Sequence, residues 1–208
     1  MLEQVLGWAR DGGPIVWLLA VASVYSLALI IVKVIDLGGV LGGAAARSAA
    51  LADWRGGKLA EAQAQVTEGR YPADRVLAHG MTALAARENA EVVERELERR
   101  GNEELERMRR WLRTLEVIAM VSPLLGLLGT VLGMIQSFQE LELAGGSANA
   151  AVLAGGIWQA LLTTAAGLIV AIPAAIAANL LSAKVDRAAH MIEDAVSALF
   201  AAEHARSG

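Results

Sequence analysis

Val121-Ser-Pro-Leu-Leu-Gly-Leu-Leu-Gly-Thr-Val-Leu-Gly-Met-Ile-Gln-Ser-Phe138 is the stretch that decides the fold. It is long and apolar enough for a membrane-spanning helix, yet it holds a hydroxyl, a proline and three glycines where leucine would insert more readily. Hydrocarbon offers no hydrogen-bond partner, so Thr130 and its small neighbours are expected to face protein or a water-filled path. Gly126, Gly129 and Gly133 lie within two turns of Thr130 and form a smooth flank on which another backbone can close in. Such a helix suits a conduit better than a plain anchor.

Composition points to the same class. Of 208 residues 55% are hydrophobic, mean hydropathy is +0.46, and the charged side chains gather in one block. The length allows one membrane unit and at most one modest soluble part. The net charge of -4 says less than its uneven distribution. With no cysteine, disulfides, thiolate chemistry and Cys-based metal sites are excluded. His79, His190 and His204 stand far apart without ligand partners at metal-like spacing, so they read as helix-surface residues. Neither a metal nor a cofactor is expected.

The chain therefore reads as an all-α membrane protein with three transmembrane helices, predicted at 13–35, 113–138 and 150–183. No charge falls between Asp11 and Lys33, enough to cross a core of about 30 Å. Glu3 and Asp11 precede this run, which is too long for a secretory leader, so it reads as a retained anchor. The third apolar stretch, 34 residues from Ala150 to Ala183, would measure about 50 Å as a helix and project beyond the bilayer.

Orientation follows the basic residues. Twelve Arg or Lys lie between Asp36 and Leu112, and Lys184 and Arg187 follow the third span. The link 139–149 has none, and carries Glu140 and Glu142. The positive-inside rule places residues 1–12 and this link outside (periplasmic), and the loop 36–112 and the tail 184–208 in the cytoplasm.

Within the loop, Glu91 with Arg95, Glu96 with Arg100, Glu103 with Arg107 and Glu106 with Arg110 are i,i+4 pairs that favour a solvated helix. Leu97, Leu105, Met108, Leu112 and Leu115 continue its apolar stripe, so one long helix is predicted from the loop into the second span. Arg107, Arg109, Arg110 and Arg113 sit at the membrane boundary with acids interleaved, which favours lipid headgroups over nucleic acid. Beyond the third span, Val185, Ala189, Ile192, Val196 and Leu199 predict an amphipathic extension that packs on the loop helix or on a neighbouring subunit.

Gln159 and Thr163 share one face of the third span, with Gly156 and Gly167 nearby, and Thr164 lies about 100° round. Membrane threonines often bond back to their own helix, but the Gln159 amide needs partners elsewhere. Two polar helices lined by glycine and alanine are expected to face one another or a shared lumen. Pro123 and Pro173 free the carbonyls of Ala119 and Ile169, giving kinks or a place for water or protons. No Asp, Glu, Lys, Arg or His lies in the apolar cores of the spans, Pro14 to Val32, Val117 to Phe138 and Ala150 to Ala183. A proton path needs a titrating group, so a partner would have to supply it. No nucleophile, metal or phosphate-loop constellation suggests an enzyme.

Ser122-Pro-Leu-Leu-Gly-Leu-Leu-Gly-Thr-Val-Leu-Gly-Met-Ile with Phe138, and Ala160-Leu-Leu-Thr-Thr-Ala-Ala-Gly-Leu-Ile-Val-Ala-Ile-Pro173, resemble the ExbB/TolQ/MotA proton-channel family. Three spans and the opening Gly12-Gly-Pro-Ile are similar to ExbB-like members. The resemblance implies a homo-pentameric ring in the bacterial cell inner membrane, surrounding the helices of an ExbD- or TolR-like single-span partner whose aspartate titrates. It implies proton flow that drives a TonB- or TolA-like protein, with Thr130 and Thr164 as lumen threonines facing that aspartate. Gln159 stands where ExbB proteins typically have glutamate, which questions any mechanism that needs a carboxylate on this subunit. A non-conducting membrane scaffold and a stator-like unit of another motor are the competing readings.

Overall fold

The computed structural model describes residues 13–67, 69–143 and 150–207. The N-terminal segment 1–12 and residues 144–149 of the predicted outer link lie outside the described residues. Seven helices and no strand are found among them: α1 Gly13–Asp36, α2 Ala44–Arg55, α3 Leu59–Thr67, α4 Pro72–Ala85, α5 Ala90–Arg109, α6 Leu112–Leu143 and α7 Ala150–Ser207. Three of them, α1, α6 and α7, carry stretches long and apolar enough to cross a membrane.

The chain divides into two compact units where its composition changes. Residues 1–32 and 111–179 make the apolar unit, and residues 33–110 and 180–208 make the charged one. At 58 residues α7 contributes to both, a helix about 87 Å long at 1.5 Å per residue.

In the charged unit each helix has a local reason to begin. Pro72 opens α4, where its missing N–H costs nothing. Asn89 caps α5 by accepting from the Glu91 amide at 2.9 Å. Glu91 in the first turn and Arg107 and Arg109 in the last suit the helix dipole. Trp54 is fully buried and its indole N–H donates to Glu203 at 3.0 Å, joining α2 to the end of α7. Gly80 lets α4 close on its neighbours: a Cβ there would lie 2.6 Å from Leu199 and 2.7 Å from Leu97. Gly101 lies against Ile192 in the same way, at 3.2 Å.

The apolar stripe at the end of α7 is centred slightly differently from the sequence expectation. Leu181, Val185, Ala188, Ile192, Ala195, Leu199 and Ala202 are the buried positions, while Ala189 and Val196 are half-buried. Val185, Leu199 and Ala202 are the deepest of these positions.

A buried ion pair locks α2 to α4. Arg47 Nη1 donates to Asp74 Oδ1 at 2.6 Å and to the Gly42 carbonyl at 2.7 Å, and both charged side chains are less than a tenth exposed. Gly43 (φ 83°) makes the turn, and a Cβ there would lie 2.8 Å from both Arg47 Nη1 and Asp74 Oδ2.

Two expectations for α5 are corrected. The unbroken helix into the second span is interrupted, because Arg110 takes ψ 132° and Trp111 takes φ 71°. The amides of Thr114 and Leu115 return to the Trp111 carbonyl at 3.2 and 3.3 Å, so α6 starts afresh. No Pro or Gly marks this break, and a left-handed tryptophan costs about 1–2 kcal/mol. Of the predicted i,i+4 pairs, Glu96–Arg100 forms at 2.7 Å. Arg95 instead reaches the Glu91 carbonyl, and Arg107 turns to Glu104 at 3.6 Å. Arg99 bridges Glu96 and Glu103, and hydrogen bonding to Arg99 holds the Glu96 carboxyl down at about 2.

Candidate functional site

In the apolar unit α6 and α7 run antiparallel and press together along small residues. A Cβ on Gly126 would lie 2.9 Å from the Thr163 carbonyl and 3.0 Å from Thr164 Cα. On Gly129 it would strike the Thr163 side chain, and on Gly133 it would lie 3.1 Å from Ala160 Cβ. On Gly156 it would strike Ser137, and on Gly167 it would lie 2.5 Å from the Ser122 carbonyl. All five glycines singled out in the sequence therefore sit where a neighbouring helix leaves little or no room for a side chain. This contact depends on van der Waals packing, which lipid cannot match on a rough surface.

Hydroxyls are drawn into the same seam. Thr163 is 3% exposed, and its Oγ1 lies 2.7 Å from the Ala160 carbonyl of its own helix and 3.1 Å from the Gly126 carbonyl of α6. Thr164 Oγ1 donates to the same Gly126 carbonyl at 3.2 Å. Back-bonding and a cross-helix contact thus coexist at Thr163. Thr130 stands apart from this pair, half-buried, with its Oγ1 donating to Leu127 O at 2.6 Å. Pro123 and Pro173 both lie inside their helices.

Gln159 does not share the buried seam with Thr163. Its side chain is exposed and lies on the wall of a cavity of about 280 Å³, which Thr163, Gln136, Ser137 and Glu140 also line. Gln136 donates to Glu140 at 3.1 Å, and Ser137 donates to the Gly133 carbonyl at 2.8 Å. Ser122, Gln136, Ser137 and Glu140 were missed as site residues. Ser122 and Ser137 extend the stripe Gly126, Gly129, Gly133 at helical spacing, a signal present in the sequence. Among the described residues no group of three or more acidic or imidazole side chains converges as metal ligands.

The chain is similar in sequence to known proteins. The family model of the MotA/TolQ/ExbB proton channel family matches residues 68–194. The chain is similar to the biopolymer transport protein exbB1 of Vibrio cholerae, 50% identical over 82 residues that cover 39% of this chain and 36% of that protein. It is 34% identical over 175 residues to a putative biopolymer transport protein ExbB homolog of Methanothermobacter thermautotrophicus, covering 81% of this chain and 59% of the relative. It is also 42% identical over 85 residues to the Tol-Pal system protein TolQ of Haemophilus influenzae, covering 41% of this chain and 37% of that protein. The matched stretches span less than two thirds of each relative's length.

Proposed function

The chain belongs to the MotA/TolQ/ExbB proton channel family, and we propose that it is an ExbB-like wall subunit of a bacterial inner-membrane proton channel. Five copies form a ring around an ExbD- or TolR-like partner, and inward proton flow does work on a TonB- or TolA-like protein. The carrying observation is the α6–α7 seam. Hydroxyls of Thr163 and Thr164 meet one carbonyl, Gly126 O, in apolar helices without an ionisable side chain from Val117 to Phe138 or from Leu153 to Ala183.

In this reading the subunit orients water and hydrogen-bonds a carboxyl that the partner supplies. Thr130 and Thr164, each half-buried, present hydroxyls to the lumen, and the glycine seam keeps the wall thin and rigid. A partner aspartate resting in that dry lumen is held neutral by desolvation, and it ionises where water reaches it. Alternating exposure of such aspartates couples proton entry to movement of the ring. The basic boundary residues Arg107, Arg109, Arg110 and Arg113 face anionic headgroups on the cytoplasmic side. No enzymatic turnover is assigned to the chain.

Valine at Thr130 or Thr164 keeps the shape and removes the hydroxyl. Native mass spectrometry should still find a pentamer in both Thr130→Val and Thr164→Val, while energised proton flux through the complex fails. Unchanged flux in both would favour a scaffold that merely clamps the partner's helices.

A further inference from the structure

Among the described residues, the cavity beside the seam carries one ionisable group, Glu140. From α1 it is walled by Gly13, Pro14 and Ile15, which bear no charge, and from α7 by small residues, Gln159 and Thr163. From α6 it is lined by Gln136, Ser137 and Glu140, among others. Glu140 is the only charged lining residue among the described residues, and it comes just beyond the predicted end of the second span.

Depth gives the cavity a direction. From Glu140 down to Gly129, its lining covers 11 residue steps of α6, about 16 Å at 1.5 Å per residue and roughly half the hydrocarbon core. At its lower end sits Thr163, whose hydroxyl already touches the Gly126 carbonyl shared with Thr164. A space of about 280 Å³ with amide, hydroxyl and carboxylate groups on its walls has room for several waters in contact with polar partners.

We propose that Glu140 is the proton-collecting carboxylate of this subunit, standing at the mouth of a water-filled inlet that ends at Thr163. This rests on the proton-channel reading above. The Glu140 carboxylate takes a proton from outside water and passes it to a cavity water, which returns the carboxylate to its charged form. The proton then moves down the water file past Thr163 to the carboxylate of the partner's aspartate, which it neutralises, so no net charge stays on this subunit. Gln136, hydrogen-bonded to Glu140, holds the carboxylate at the mouth, and Gln159 supplies an amide along the wall.

The test uses the full chain co-purified with its single-span partner, reconstituted in liposomes with an internal pH dye. Glu140→Gln keeps size and hydrogen bonding but cannot exchange a proton. It should lower inward flux about tenfold at an outer pH of about 8, where protons are scarce, and leave it nearly unchanged at about pH 5. Glu140→Asp should retain most of the flux. Adding Gln159→Glu to Glu140→Gln should restore it, because a carboxylate returns to the same cavity. Flux equal to wild type at both pH values, or lowered equally at both, overturns the proposal. A wild-type complex that carries no protons at all overturns the channel reading itself, and the inlet with it.

Discussion

Gly129 shows how far single residues determine the apolar unit. A Cβ there would run into the Thr163 side chain, whereas a Cβ on Gly155 would meet nothing within 4 Å. Gly129→Val should therefore overpack the seam and cost about 1–3 kcal/mol, while Gly155→Ala should be neutral. Thermal unfolding in detergent, followed by circular dichroism, separates the two. Equal midpoints would mean that the helices do not meet at Gly129. The sequence alone marked Gly126, Gly129, Gly133, Gly156 and Gly167 as packing residues, because small side chains in a membrane helix are otherwise hard to explain. It could not tell that Thr163 would be buried between helices while Gln159, on the same predicted face, stayed exposed. Four residues separate them, about 40° of rotation, and the edge of the α6 contact falls within that angle.

The helices of the charged unit depend on contacts that span many residues of chain. Arg47 and Asp74 are 27 positions apart, and nothing in local propensity or charge spacing pairs them. Removing one partner leaves a buried charge unmatched, so Asp74→Ala should cost about 3–5 kcal/mol. A urea titration of the purified protein should register that loss as an earlier unfolding of this unit, and an unchanged midpoint would contradict the assigned pair. The same limit explains the break at Trp111. Helix propensity, the absence of Pro or Gly and the continuing apolar stripe all favoured one uninterrupted helix, yet the backbone turns left-handed there. The periodic, amphipathic parts of α5 and of the end of α7 were legible. Their partners were not, because periodicity identifies a buried face without naming what covers it.

For the molecule as a whole, large apolar side chains remain uncovered on all three membrane-length helices, such as Val24 at 72% on α1, Met120 at 65% on α6 and Ile169 at 70% on α7. Lipid and neighbouring subunits are the surroundings that suit them. The central claim is that this chain forms the wall of a proton path but holds no acidic, basic or imidazole group in the apolar cores of its spans. Proton flux into liposomes, followed with an internal pH dye, tests it directly by comparing the chain alone with the chain assembled with the proposed single-span partner. The account predicts an inward flux for the assembled complex and only background leakage for the chain alone. Equal flux through both would contradict it.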